Sequence, residues 1–176
     1  MKDGLSPNVH EIRGLDRYHA KIRPFKPEEA DYIIRRHRDL YADEYGFDST
    51  FESYVGDAVR KFLETYDEGA ENIWIAESQG QPVGSIAIVR VDDTTSQLRW
   101  FLIEPEMRGK GLGNRLMETA VEFCREKNYK LVYLWTLSIL EAARHLYKRY
   151  GFELTGTEEH DIWGKHLIEE RWDLKL

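Results

Sequence analysis

The chain has 176 residues, of which 41% are hydrophobic and 32% charged, with 12% aromatic. That is the composition of one globular domain able to bury roughly 70% of its unfolded surface, not of a disordered chain. A net charge of −7 argues against general nucleic-acid binding, no apolar run approaches the ~18 residues of a membrane span, and one cysteine, Cys124, can form neither an intrachain disulfide nor a thiolate cage.

The start, Met1-Lys2-Asp3-Gly4-Leu5-Ser6-Pro7, lacks the apolar core and small residues of a secretory signal. A reduced, cytoplasmic protein is therefore expected, with no membrane partner. Residues 1–19 read as a polar tail that could dock through Leu15 and Tyr18 and pair two copies as a homodimer. Residues 20–176 read as the domain.

Ala20 to Phe25 predicts a short strand. Pro27-Glu28-Glu29 opens a helix, with proline at its first position and acids at its positive end. Ala30, Ile33, Ile34, His37, Leu40 and Tyr41 continue it at helical spacing, and Gly46 stops it. A second helix spans Ser49 to Tyr66. Strands follow at 72–77, 82–91 and 97–103, joined by short turns and so antiparallel.

A helix is expected over 111–127, with Cys124 on its apolar stripe. The apolar strand 130–136 is expected to be buried on both faces. The helix from Ile139 to Tyr150 carries Ile139, Ala142, Ala143, Leu146, Tyr147 and Tyr150 on one stripe, and Gly151 caps it. A final hairpin, 152–163 and 166–174, turns at Gly164. The order β-α-α-β-β-β-α-β-α-β-β predicts an α/β (α+β) fold: one mixed sheet of about seven strands with helices on both faces.

The informative segment is Leu102-Ile103-Glu104-Pro105-Glu106-Met107-Arg108-Gly109-Lys110-Gly111-Leu112-Gly113-Asn114. A strand enters, a glycine turn follows and a helix leaves. Converging backbone N–H groups, the helix dipole, Arg108 and Lys110 suit a phosphate or pyrophosphate. The nucleotide P-loop pattern is absent. A dinucleotide fingerprint would need a third glycine where Asn114 stands, and the preceding strands form a meander. A turn that only packs strand against helix is the remaining rival.

Arg108-x-x-Gly111-x-Gly113 resembles the pyrophosphate signature of the GNAT N-acetyltransferases. Leu146-Tyr147-Lys148-Arg149-Tyr150-Gly151-Phe152 is similar to that family's Leu-Tyr-x-x-x-Gly-Phe signature. The resemblance covers about residues 20–176, and extends to the acetyltransferase halves of MarR–GNAT fusion proteins. It implies a single domain whose fourth and fifth strands splay apart around acetyl-CoA. Arg108, Gly109, Lys110, Gly111, Leu112 and Gly113 would hold the pyrophosphate. Leu102 and Ile103 would pair with the pantetheine arm like an added strand. Tyr147 would protonate the departing thiolate, and an amide near Ile103 would meet the oxyanion.

The resemblance thus implies acetyl transfer from acetyl-CoA to a primary amine of unassigned class. The alternative is a CoA-binding or interaction module of the same fold that has lost its chemistry. Where some relatives carry a glutamate early in the fourth strand, this chain reads Ser96-Gln97-Leu98-Arg99, and Leu140 stands where many have asparagine. The base is not assigned: Asp92 and Asp93 could act through water but read first as solvated turn residues, and Glu104 stands at a strand end beside the cofactor turn, where it either serves the site or faces solvent. Arg35, Arg36 and Arg38 read as a solvated helix face, His37 as a core histidine and His145 as exposed. His160, Asp161 and His166 lack metal-ligand spacing, so no metal is expected.

Overall fold

A computed structural model of the chain describes residues 19–176. The expected tail contacts of Leu15 and Tyr18 lie outside the described residues. Strand β1 (Lys21–Pro24) leads into a 3₁₀ turn at Pro27–Glu29, closed by the Glu29 N–H donating to Lys26 O at 2.8 Å. The α-helix proper therefore begins three residues later than Pro27 suggests, as α1 (Ala30–Tyr45), and ends at Gly46 with φ of +68°. Helix α2 (Ser49–Thr65) starts where Asp48 Oδ1 accepts from the Thr50 N–H at 2.9 Å, an N-cap that satisfies one of the first-turn donors.

Strands β2 (Asn72–Ser78), β3 (Gln81–Arg90) and β4 (Thr95–Ile103) form the meander. Then come α3 (Leu112–Glu126), β5 (Leu131–Leu137), α4 (Glu141–Arg149), β6 (Glu153–Ile162) and β7 (Lys165–Lys175). The seven strands lie in the order β1-β2-β3-β4-β5-β7-β6. Every neighbouring pair is antiparallel except β4 and β5, whose parallel pairing requires the crossover through α3.

Apolar side chains bury on both faces of the sheet. Helices α3 and α4 cover one face, with Leu116, Met117 and Cys124 packed on Ile86, Val132 and Trp172. Helices α1 and α2 cover the other, with Ile33, Val59 and Phe62 on Ile73, Ile75 and Trp100. The second cover stops short of the last strands. On β5, Leu131, Tyr133 and Trp135 are consequently half-buried, against the expectation of a strand buried on both faces. The stripe of α4 is also narrower than its spacing suggests. Ala142 is exposed, Ile139 is 48% exposed, and only Tyr147 of the helix is fully buried.

Between β3 and β4 the register shifts: Ser85 faces Leu102 but Ala87 faces Arg99, so Trp100 and Phe101 together oppose Ile86. This is a β-bulge, and it inverts the side-chain alternation. Leu98 packs on the α3/α4 face, Trp100 on the α1/α2 face, and Phe101 and Ile103 return to the α3/α4 face. Trp100 takes φ of +44°, a backbone that a bulky residue rarely adopts. The Ser85 hydroxyl, fully buried, donates to Trp100 O at 2.7 Å and pins it.

Candidate active site

Strands β4 and β5 pair only over Thr95–Gln97 and Leu131–Tyr133, and the bulge lies immediately beyond. Past it the strands part around a cleft of about 890 Å³, a size suited to a small ligand. The expected splay is therefore present, and the bulge sits at its root.

The glycine turn forms one end of this cleft. Gly109 and Gly111 have φ of +72° and +80°, and a Cβ at either would meet no atom within 4 Å. The turn thus presents bare backbone, reachable only because both residues tolerate positive φ. Gly111 caps α3, and the N–H groups of the next residues have no acceptor within the helix. Gly113 does something different. A Cβ there would stand 3.1 Å from Ile103 Cδ1 and 3.5 Å from Leu146 Cδ2, so its smallness lets α3 close on β4 and α4. The Leu112 side chain is buried in the core, leaving only its backbone for a ligand.

Arg108 ties the turn to its surroundings. Its Nε donates to Ile103 O at 3.0 Å, and its guanidinium grips Glu44 of α1 at 3.0 and 2.8 Å. Lys110 donates to Glu106 O. Leu102 and Ile103 both line the cleft wall. Sequence reasoning missed Arg149 and Asn114, which also line it and are joined by a 2.9 Å hydrogen bond. The signal was available in the basic last turn of α4, which lies across from the first turn of α3.

Tyr147 reaches the cleft from α4, with its ring 5.9 Å from Phe152 and 6.4 Å from Phe101. Burial pushes its hydroxyl well above the usual tyrosine range. The nearby Tyr41 adds to the shift, and a hydrogen bond with Thr136 partly opposes it. The hydroxyl is therefore protonated and able to donate.

Several expectations change. Glu104 does not face solvent: it is buried, accepting two hydrogen bonds from Arg36 at 2.7 and 2.6 Å and one from the Tyr32 hydroxyl at 3.1 Å. Arg36 accordingly leaves the solvated face and anchors α1 to the end of β4. Arg38 is also engaged, with Asp39 and Glu52. Asp92 and Asp93 are solvated turn residues, as expected. Asp92 accepts from the Thr94 N–H at 2.8 Å, Asp93 pairs with Arg90, and neither lines the cleft. His145 is exposed. Among the described residues no group of three or more His, Cys, Asp or Glu side chains is placed to hold a metal ion.

The profile of the acetyltransferase (GNAT) family matches residues 34–152. The chain belongs to the GNAT acetyltransferase family. Human N-acetyltransferase 8B is 30% identical over 123 residues, covering 67% of this chain and 53% of the human protein. Zebrafish N-acetylaspartate synthetase is 39% identical over 93 residues, covering 52% of this chain and 33% of that protein. Spermidine N(1)-acetyltransferase of Escherichia coli K12 is 22% identical over 167 residues, covering 89% and 81%. The chain thus spans about half the length, or less, of the first two relatives. A Salmonella typhimurium protein solved with its cofactor acetyl-CoA shares the GNAT fold at a TM-score of 0.71 and 16% identity, covering 90% of this chain and 94% of that one. An N-acetyltransferase from Staphylococcus aureus Mu50 does so at 0.73 and 19%, covering 89% and 98%. No described helix of this GNAT chain is long and apolar enough to cross a membrane.

Proposed function

We propose that residues 20–176 form an N-acetyltransferase that moves the acetyl group of acetyl-CoA to a primary amine. The observation that carries this reading is the cleft between β4 and β5, with bare glycine amides at one end and a protonated tyrosine in its wall. The residues fit the donor. Backbone N–H groups from Gly109 to Gly113 suit the pyrophosphate at the positive end of α3, with Arg149 supplying charge nearby. Ile103 turns its N–H to the open edge of β4 and offers it to the pantetheine arm, whereas the Leu102 backbone is paired with Ser85 of β3 and lines the cleft beside it. Because Arg108 is already held by Glu44 and Ile103 O, it braces the turn and leaves the phosphate to the amides.

In the reaction the acceptor nitrogen, once neutral, attacks the thioester carbon and a C–N bond forms. The carbonyl oxygen gains charge beside the backbone of the bulge. The C–S bond then breaks, and the thiolate leaves with the electron pair and takes the Tyr147 proton. The surplus proton on nitrogen returns to the tyrosinate, so Tyr147 ends as it began. A cytoplasmic setting fits the lone cysteine, Cys124. It is buried, and burial pushes its thiol up to about 11, so it is inert. Pairing of subunits through residues 1–19 belongs to the same reading and is checked by the mass in solution with and without them.

Thermal shift with acetyl-CoA tests the donor, because a ligand of the native state must raise the melting temperature. Thiol release with a panel of amines tests the transfer. A shift without thiol release would leave a CoA-binding module in place of the enzyme.

A further inference from the structure

The acceptor end of the cleft opens on the α1/α2 face of the sheet. The Tyr133 hydroxyl donates to Gln97 Oε1 at 3.4 Å, and the Arg171 guanidinium stacks 4.3 Å from the Tyr133 ring. These contacts set Gln97, Tyr133 and Arg171 on one face. Two residues along each strand, where β4 and β5 have parted, the same face presents Arg99, Trp135 and Glu169. All three line the cleft.

Arg99 and Glu169 are both half-buried, and they do not pair with each other. The guanidinium of Arg99 lies 5.2 Å from the Trp100 ring and, among the described residues, has no carboxylate partner. Arg36, Arg108, Arg144 and Arg171 each have one. Glu169 Oε2 stands 3.3 Å from His160 Nε2, and Oε1 accepts from no described residue. Burial raises the affinity of Glu169 for a proton, with Glu158 adding to the effect and His160 opposing it. The cleft thus holds a cation on β4 without a carboxylate partner and a carboxylate on β7 with one oxygen, Oε1, left over after its contact with His160. Around them the walls are apolar: Trp163 at the β6–β7 turn packs 5.3 Å from Tyr54, and Tyr54 and Ile139 are about half exposed into the same opening.

We infer that the acceptor is an amino acid with an apolar or aromatic side chain, its ammonium seated on Glu169 and its carboxylate on Arg99. The inference rests on the acetyltransferase reading and narrows its substrate. Ion-paired hydrogen bonds at both charges orient the nitrogen, and Glu169 is placed to take one ammonium proton before attack, passing it through His160 to solvent. A polyamine would bring a second cation against Arg99, and a simple amine would leave that guanidinium unpaired.

The test compares L-phenylalanine, phenethylamine (the same amine without the carboxylate) and spermidine in the thiol-release assay. Phenylalanine should exceed phenethylamine in kcat/KM by about 10–10²-fold, the effect of one charge-assisted pair. Spermidine should be the weakest of the three. Arg99→Gln should bring the phenylalanine-to-phenethylamine ratio close to one, and Glu169→Gln should raise the KM of both. The binding arm titrates phenylalanine and phenethylamine into the parental protein, with and without CoA, reading tryptophan fluorescence. It decides the matter even if no thiol is released. Equal use or equal binding of the two ligands, no binding of phenylalanine, or an unchanged ratio in Arg99→Gln would overturn the inference. Loss of the acetyl-CoA thermal shift is a separate result, and it strikes the acetyltransferase reading.

Discussion

Tyr147 brings its hydroxyl to the cleft from a buried ring, and the proposed acid role separates cleanly from packing. Tyr147→Phe keeps the contacts with Phe101 and Phe152 and removes only the donor. The rate of thiol release should fall by roughly 10²–10⁴ while acetyl-CoA affinity holds, as for a group acting only in the transition state. Parental turnover would return Tyr147 to the core. Gly111 gives a second residue-scale test. A Cβ there meets nothing, so Gly111→Val is free of clashes but must adopt φ of +80°. The strain costs about 1–3 kcal/mol, and a branched side chain covers the bare backbone. A lower melting temperature together with loss of the acetyl-CoA shift is expected. Retained binding by thermal shift would refute the pyrophosphate assignment.

At the scale of elements, the bulge on β4 shapes the cleft, and Ser85 of β3 is the side chain that holds it. Ser85→Ala leaves Trp100 O without its buried donor, a loss of about 1–3 kcal/mol readable in urea unfolding. Turnover should fall with it, because the bulge sets where β4 leaves β5. An unchanged midpoint would show that the strand needs no such pin. The elements themselves were legible because their signals are local: helical spacing in α1 to α4, Gly46 and Gly151 as stops, short turns in the meander. The bulge was not, since Gln97 to Ile103 reads as one continuous strand and the extra residue appears only against β3. The burial of Glu104 was not legible for the same reason. Its partners, Arg36 and Tyr32, lie some seventy positions earlier in the chain, on a helix whose approach to β4 no local pattern encodes. In the cleft, the glycine turn and Tyr147 were readable from motif spacing, whereas Arg149, Arg99 and Glu169 meet only through the sheet order.

Across the whole molecule, pH reaches the core through His37. Its ring is buried in α1, Nδ1 lies 2.7 Å from Ile33 O, and burial lowers its pKa to about 4 from an ordinary 6.5. Folded protein keeps it neutral, while unfolded chain takes up a proton below pH 6.5. Its stabilising contribution is therefore complete above that pH and is lost as pH falls towards 4, about 3 kcal/mol across the window. His37→Gln should flatten this part of the stability–pH curve measured by urea unfolding, and an equally steep curve would place the titration elsewhere. The short parallel pairing of β4 with β5 has a mechanical meaning as well. It divides the sheet into two plates, β1 to β4 and β5 to β7, joined along a seam from Thr95 to Gln97 and bridged by α3. Such a joint is a compliant line across an otherwise stiff body. Under an applied load the plates should part there first, and a ligand lying between them would act as a splint, so the force needed to open the protein should rise when acetyl-CoA is present.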